Sequence, residues 1–225
     1  MRRQPEASRS RRGGLRGRPA GRLRRALSAA LIAAGVLTVA WVLVAWRWQD
    51  PVTAIETWRH QAALGMQLRN RSVPERSRPV RLEARAYRLA SHQGEAMGRI
   101  LIPRLGLDAV LVEGTTEPDL AKGPGIYAGD FLPGEGRLVY VAGHRTTYSA
   151  PFAQINLLRR GDRITIRMPY GTFRYVVTRH RIVPATDVAV LRSGHRELLI
   201  LQSCHPRFYA THRYLVYARP LRRTP

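Results

Sequence analysis

Between Arg25 and Arg47 lie 21 residues, 26 to 46, with no charged side chain, and only Ser28 and Thr38 interrupt their apolar character. At about 1.5 Å of rise per residue, a helix of that length spans roughly 30 Å, the thickness of a bilayer's hydrocarbon core. A core helix in a small soluble domain would keep a polar face, and this run has none. A cleaved signal peptide shares the basic start, but its apolar region is about 7 to 15 residues long and ends in a small-x-small site. Here the run ends in Val44-Ala45-Trp46-Arg47-Trp48, with Trp41 close by. Tryptophans gathered at one end are the mark of a membrane–water interface. Residues 26–46 are therefore expected to form an uncleaved transmembrane anchor.

The charge distribution orients that anchor. Residues 1–25 hold ten arginines against Glu6 alone, a local charge of +9. They show no apolar periodicity, which describes a disordered basic arm suited to phosphate groups on lipid or nucleic acid. Positive charge beside a span stays in the cytoplasm. Everything after Trp46 is then expected outside, and this topology disfavours nucleic acid as a partner of the folded part. The whole chain carries +23, yet 44% of its 225 residues are hydrophobic, too many for a fully disordered basic protein. Residues 47–96 carry +4 and residues 97–225 carry +10, which would draw an exterior domain towards an anionic surface or wall polymer.

Residues 50–70 read as a helix with Ile55, Trp58, Ala62, Leu64 and Leu68 on a weakly apolar side. Residues 70–96, mixing Arg and Ser with Pro74 and Pro79, read as a linker, with the domain boundary near Met97. The expected organisation is a basic arm (1–25), an anchor (26–46), a juxtamembrane helix and linker (47–96) and a folded exterior domain (97–225). From Gly98 the pattern changes to short strands separated by Gly and Pro, over 99–102, 107–113, 136–142, 163–168, 172–183, 197–203 and 214–221. Short helices are expected at 116–121 and 151–158. Seven or eight strands in about 125 residues predict an all-β domain, a closed barrel or a sandwich.

One cysteine excludes an intramolecular disulfide, a zinc ribbon and a Cys-x-x-Cys redox pair. Cys204 follows the apolar run Leu198 to Leu201 at the end of a strand, and strand ends feed the loops where function collects. His205, Arg207, His212 and Arg213 lie within nine residues of it, cationic company that favours a thiolate. A nucleophilic cysteine needs a proton-transfer partner, usually histidine. His60 and His92 fall outside the expected domain, which leaves His144, His180, His195, His205 and His212. His144 also sits at a strand end, after Gly143, but the residues alone do not choose among the five. Adjacent residues on a strand face opposite ways and no carboxylate joins Cys204, His205 and His212, so neither a metal site nor a cofactor is expected.

Four stretches together resemble the sortase family: Gly123-Pro124-Gly125-Ile126-Tyr127, Leu132-Pro133-Gly134-Glu135, Val141-Ala142-Gly143-His144-Arg145-Thr146-Thr147-Tyr148, and Leu201-Gln202-Ser203-Cys204 followed by Arg213. The resemblance covers residues 98–221 and implies a closed seven- to eight-stranded barrel. Ile200 and Ser203 depart from the family's Thr-Leu-x-Thr-Cys signature, and Ile126 and Ala128 stand where many relatives have His and Pro. The Gly-His-Arg-Thr-Thr-Tyr and Cys-His-Pro stretches are similar to actinobacterial class E sortases. The resemblance implies Cys204 as nucleophile, His144 as acid/base and Arg213 as the cation at the reacting carbonyl, with Ser203 and Thr146 supporting them. It also implies secreted proteins with a C-terminal sorting signal of Leu-Pro-x-Thr-Gly or Leu-Ala-x-Thr-Gly type as substrates, and an amine of a cell-wall precursor as acceptor. An L,D-transpeptidase is the enzymatic rival, but its Ser-His-Gly-Cys pattern is missing. A membrane-anchored β-domain that only binds wall polymers or a partner protein is the non-enzymatic one.

Overall fold

The computed structural model describes residues 19–48, 51–70 and 78–221. The arm at 1–18 lies outside the described residues. The chain separates into two compact units, divided between Val44 and Ala45.

Most of the first unit is helix α1, Pro19–Trp48. Its segment Leu23–Val44 is 22 residues long and holds an 18-residue stretch of mean hydropathy 2.4, none of which is buried inside the protein. Past Arg24 and Arg25 the uncharged part of this segment, residues 26–44, is about 28 Å long at about 1.5 Å per residue. A helix with apolar side chains all round it and no protein cover matches a bilayer in length and composition.

The second unit is built on a closed barrel of eight strands in the order β1-β2-β3-β4-β7-β8-β6-β5. The strands are β1 Ala96–Ile102, β2 Leu107–Glu113, β3 Gly125–Ile126, β4 Leu138–Ala142, β5 Arg163–Met168, β6 Gly171–Pro184, β7 Leu198–His205 and β8 His212–Pro220. Closure leaves no sheet edge to protect. Neighbouring pairs are antiparallel except β2 with β3 and β4 with β7, which are parallel. Side chains alternate across a strand, so each strand contributes to two layers. One layer, including Ile100, Leu111, Val139, Val141, Ile164, Ile166, Tyr175, Leu199, Leu201 and Val216, fills the main core. The other layer of β4, β7 and β8 forms a second cluster of Leu138, Tyr140, Ile200, Leu215 and Tyr217. Val190 and Leu191, from a 3₁₀ turn at Val188–Leu191 between β6 and β7, pack against it.

The expected strands form, with three adjustments. The pair Gly125–Ile126 makes a strand too short to show periodicity, parallel to β2. The helix expected over 151–158 is a run of turns ending in a 3₁₀ segment at Ile155–Leu157. Strand β7 runs on through Cys204 and His205, which pair with Arg213 and His212 of β8. The other expected short helix is α4, Glu117–Lys122, started by a reciprocal cap between Thr116 and Asp119.

Residues 47–96 contain more structure than their composition announces. Helix α2 runs over Pro51–Asn70 and helix α3 over Val80–Ala90. Ala84 of α3 is fully buried in the main core, and Tyr87 packs beside it. Arg88 makes a two-pronged contact with Glu135, at 2.8 and 3.1 Å. Glu135 also accepts the Leu132 N–H at 3.0 Å, which gives a structural reason for the Leu-Pro-Gly-Glu stretch. Helix α2 places Leu64 against Ala96, Val110 and Val112. Its other fastenings are polar: Thr57 donates to the Ala121 carbonyl at 2.9 Å, and Gln61 donates to the Lys122 carbonyl at 2.8 Å and accepts the Val110 N–H at 2.7 Å.

Candidate active site

The three residues of interest occupy three adjacent strands. β4 and β7 run parallel with Ala142 opposite Gln202. The ladder continues past the end of β4, where the Gly143 N–H donates to the Gln202 carbonyl at 3.0 Å. Ser203 then donates its hydroxyl to the Gly143 carbonyl at 2.9 Å. One residue further along each strand, His144 comes level with Cys204. On the other side of β7, Cys204 is paired with Arg213 of β8. His144, Cys204 and Arg213 thus form a row across three strands, and adjacent strands in a sheet are about 4.8 Å apart.

Alternation also gives the side of the sheet. Leu138 and Tyr140 on β4, Ile200 on β7, and Leu215 and Tyr217 on β8 all belong to the second cluster. Counting on in twos reaches His144, Cys204 and Arg213 respectively. The row therefore stands at the end of an apolar face bordered by Val190 and Leu191. Cys204 is half-buried and reduced.

The glycine before His144 is dictated by packing. A Cβ at Gly143 would come within 2.6 Å of the ring of Phe152, which is itself fully buried. The Phe152 N–H donates to the His144 carbonyl at 3.1 Å, so the same residue that demands the glycine fixes the histidine's backbone. The His144 ring lies 5.0 Å from the ring of Tyr148, at 37°. Its Nε2 is buried and makes no hydrogen bond among the described residues. Burial pushes the His144 imidazole below its ordinary 6.5, only partly offset by the Glu117 carboxylate. Burial accordingly favours the neutral imidazole of His144.

The loop behind it is strained. Tyr148, Ser149 and Ala150 all have positive φ, at 52°, 57° and 38°, where an L-residue pays on the order of 1–2 kcal/mol. Helix α2 holds this loop in place. The Thr53 hydroxyl accepts the Tyr148 N–H at 2.8 Å, and the Ser149 hydroxyl donates to the Ala54 carbonyl at 3.3 Å.

Arg145 is the residue that the sequence did not single out. Only 6% exposed, it turns back beneath the row. It donates from Nη1 to the Cys204 carbonyl at 3.0 Å and from Nη2 to the Asn156 side chain at 3.0 Å. The same Nη1 lies 3.0 Å from Nδ1 of His205. Burial and then Arg207 lower the Arg145 pKa, while Tyr214 and Cys204 oppose them. His205 is pushed down by burial first, then by Arg145 and His212. Position 145 follows the histidine directly, but nothing in the sequence says that its guanidinium turns inward.

The other candidates fall as follows. Arg213 is half-buried and donates to the carbonyls of Ala210 at 2.8 Å and His212 at 3.2 Å, which secures one nitrogen of the fork. Ser203 is fully buried and clips β7 to the end of β4. Thr146 lies in the loop after His144 and makes no side-chain hydrogen bond among the described residues. His180 lies on β6 beside the Tyr214 hydroxyl at 3.1 Å, and His195 is in the loop before β7. His212 opens β8 opposite His205.

Comparison with known proteins bears on the domain as a whole. Residues 100–221 match the model of the sortase domain. Sortase D of Bacillus subtilis (strain 168) is 34% identical over 130 residues, a match that covers 56% of this chain and 64% of that protein, under two thirds of its length. The structure of sortase E from Streptomyces avermitilis superimposes with a TM-score of 0.52 at 33% identity, covering 58% of this chain and 91% of that one. The fold is also shared by sortase C of Clostridium perfringens, solved with the C-terminal cell wall sorting motif, at a TM-score of 0.63 and 21% identity over 72% of this chain and 98% of that one. With the sortase domain matched across more than half of its length, and the barrel of that family around Cys204 and His144, the chain belongs to the sortase family.

Proposed function

We propose that the protein is a membrane-anchored cysteine transpeptidase that cleaves a C-terminal sorting signal after its threonine and passes the acyl group to an amine of the cell wall. The observation that carries this reading is the row of His144, Cys204 and Arg213 on three adjacent strands, at the end of an apolar face. Neutral His144 takes the thiol proton as the sulfur of Cys204 attacks the threonine carbonyl carbon. The tetrahedral intermediate collapses with loss of the glycine amine, which leaves carrying the proton returned by His144. A thioester at Cys204 remains. The acceptor amine attacks it, gives its proton to His144 and restores the thiol, so that one amide exchange is divided into two easier steps. The Arg213 guanidinium stabilises the negative oxygen in each tetrahedral intermediate. Arg145 holds the Cys204 carbonyl and acts through position.

The apolar face of Leu138, Tyr140, Ile200, Leu215 and Tyr217, bordered by Val190 and Leu191, suits the leucine and the proline or alanine of a Leu-Pro-x-Thr-Gly or Leu-Ala-x-Thr-Gly peptide. The C. perfringens sortase C solved with its sorting motif supports this substrate class. The Gly-His-Arg-Thr-Thr-Tyr and Cys-His-Pro stretches and the likeness to the Streptomyces sortase E favour a class E member. The arginine arm and the apolar span support an N-terminus in the cytoplasm and a catalytic domain outside.

The test is turnover of sorting-signal peptides by the full chain in micelles. Cys204→Ala and His144→Ala are each expected to abolish cleavage with circular dichroism unchanged, and Arg213→Ala to lower it by about 100-fold. Undiminished cleavage in the Cys204 or His144 variant contradicts the mechanism and returns the chain to a binding role.

A further inference from the structure

Helix α2 turns its bulkiest apolar side chains away from the barrel. At 100° per residue, Ile55, Trp58, Ala62 and Met66 fall within an arc of about 80°. All four are exposed, Ile55 by 59%, Trp58 by 71% and Met66 by 54%. The face turned to the barrel carries Thr53, Thr57, Gln61 and Leu64, and hydrogen bonds from the first three do most of its fastening. A helix on a soluble domain puts its apolar stripe inward and its polar side chains out. Here the polar side is consumed by the barrel and the apolar side is left uncovered, and an apolar stripe of this kind marks a contact surface.

We propose that this stripe rests on the outer leaflet of the membrane, so that α2 lies in the interface and buries Ile55, Trp58, Ala62 and Met66 beneath the lipid headgroups. The inference rests on the reading of residues 23–44 as a membrane span. Connectivity selects the membrane as occupant. Only two residues separate the end of α1 at Trp48 from Pro51, and three Cα-to-Cα steps reach at most about 11 Å. Helix α2 therefore starts close enough to the interface for its exposed side to reach the layer, about 5–10 Å deep, in which interfacial helices bury apolar side chains. Arg69 falls within this arc and Arg59 about 20° beyond it, and side chains this long can carry their guanidinium groups up to lipid phosphates. Both are exposed and neither has a carboxylate partner among the described residues. Because the opposite face of the same helix holds the His144 loop through Thr53, docking would also set the height of the candidate active site above the membrane.

Two single-tryptophan forms of the full chain test this in vesicles of phosphatidylcholine and phosphatidylglycerol. Trp41→Phe/Trp46→Phe/Trp48→Phe leaves Trp58 as the only reporter, and Trp46→Phe/Trp48→Phe/Trp58→Phe leaves Trp41. Phosphatidylcholine brominated near the carbonyl end of its chains should quench Trp58 and shift its emission to the blue relative to micelles. Bromines midway along the chains should quench Trp41. If Trp41 is quenched while Trp58 stays red-shifted and unquenched, α2 stands clear of the membrane and the proposal fails, with the anchor intact. If Trp58 is blue-shifted yet unquenched, protein covers the stripe, as in contact with a second copy, and the proposal fails equally. If neither tryptophan is quenched, the span itself is refuted and the proposal with it.

Discussion

His144 shows how burial tunes a candidate acid–base group. Its imidazole is held below the ordinary 6.5 chiefly by desolvation. The free enzyme's base is then available down to a lower pH than an exposed histidine would be. The acid limb of kcat/KM for sorting-peptide cleavage is predicted to have its midpoint below 6.5, and a midpoint at or above 6.5 contradicts the assignment. The linked stability effect has a definite sign: the unfolded chain takes up this proton more readily than the folded one, so His144 costs stability as the pH falls through 6.5 towards its folded value. Cys204 was legible in the sequence as a thiol at a strand end, whereas the choice of His144 among five histidines and of Arg213 came from the family resemblance. Arg145 and Tyr148 were not legible, because their roles depend on side-chain direction: a guanidinium turned onto the Cys204 carbonyl and a ring laid beside the imidazole. Ser203 was legible as a hydroxyl beside the nucleophile, but it spends that hydroxyl on the Gly143 carbonyl, across β4 and β7.

Strands announced themselves better than helices. Alternation gave β5 and β6, and apolar runs gave β4 and β7, since burial on one or both faces leaves a clear pattern. β3 escaped because two residues carry no period. The buried side of α2 was not legible for a physical reason: Ile55 and Trp58 look like core residues, yet the helix docks through Thr57 and Gln61 onto the carbonyls of Ala121 and Lys122 at the end of α4 and onto both polar groups of Val110 in β2. That docking also brings Thr53 to the strained loop behind His144. Thr53→Val keeps the shape and removes the acceptor for the Tyr148 N–H. A hydrogen bond of this kind is worth about 1 kcal/mol, so the rate of acyl-enzyme formation is expected to fall about fivefold with KM little changed. Thr53→Ser should restore it. Equal rates in the wild type and the valine variant would separate α2 from the chemistry.

At the scale of the molecule, the barrel and residues 51–96 hold together as one folded unit, although composition suggested a linker over 70–96. Removing α2 and α3 would uncover Val110 and Val112 and leave the carboxylate of Glu135, 4% exposed, without Arg88. Lost burial at Leu64 costs about 2 kcal/mol, and a buried carboxylate stripped of its partner costs about 3 kcal/mol. A fragment of residues 97–225 is therefore predicted to melt at least 10 °C or so below one of residues 51–225 by calorimetry. Matching melting temperatures would mean that the two helices only decorate the barrel.

The account turns on a thioester at Cys204, and intact mass measures that directly. The full chain in micelles is incubated with peptides bearing Leu-Pro-x-Thr-Gly or Leu-Ala-x-Thr-Gly, with Cys204→Ala alongside. The predicted result is a mass increase equal to the peptide through its threonine, lost on adding hydroxylamine and absent from the variant, and the two peptides rank the second position of the motif. A folded chain that gives neither adduct nor cleaved peptide, or an adduct that persists in Cys204→Ala, would contradict it.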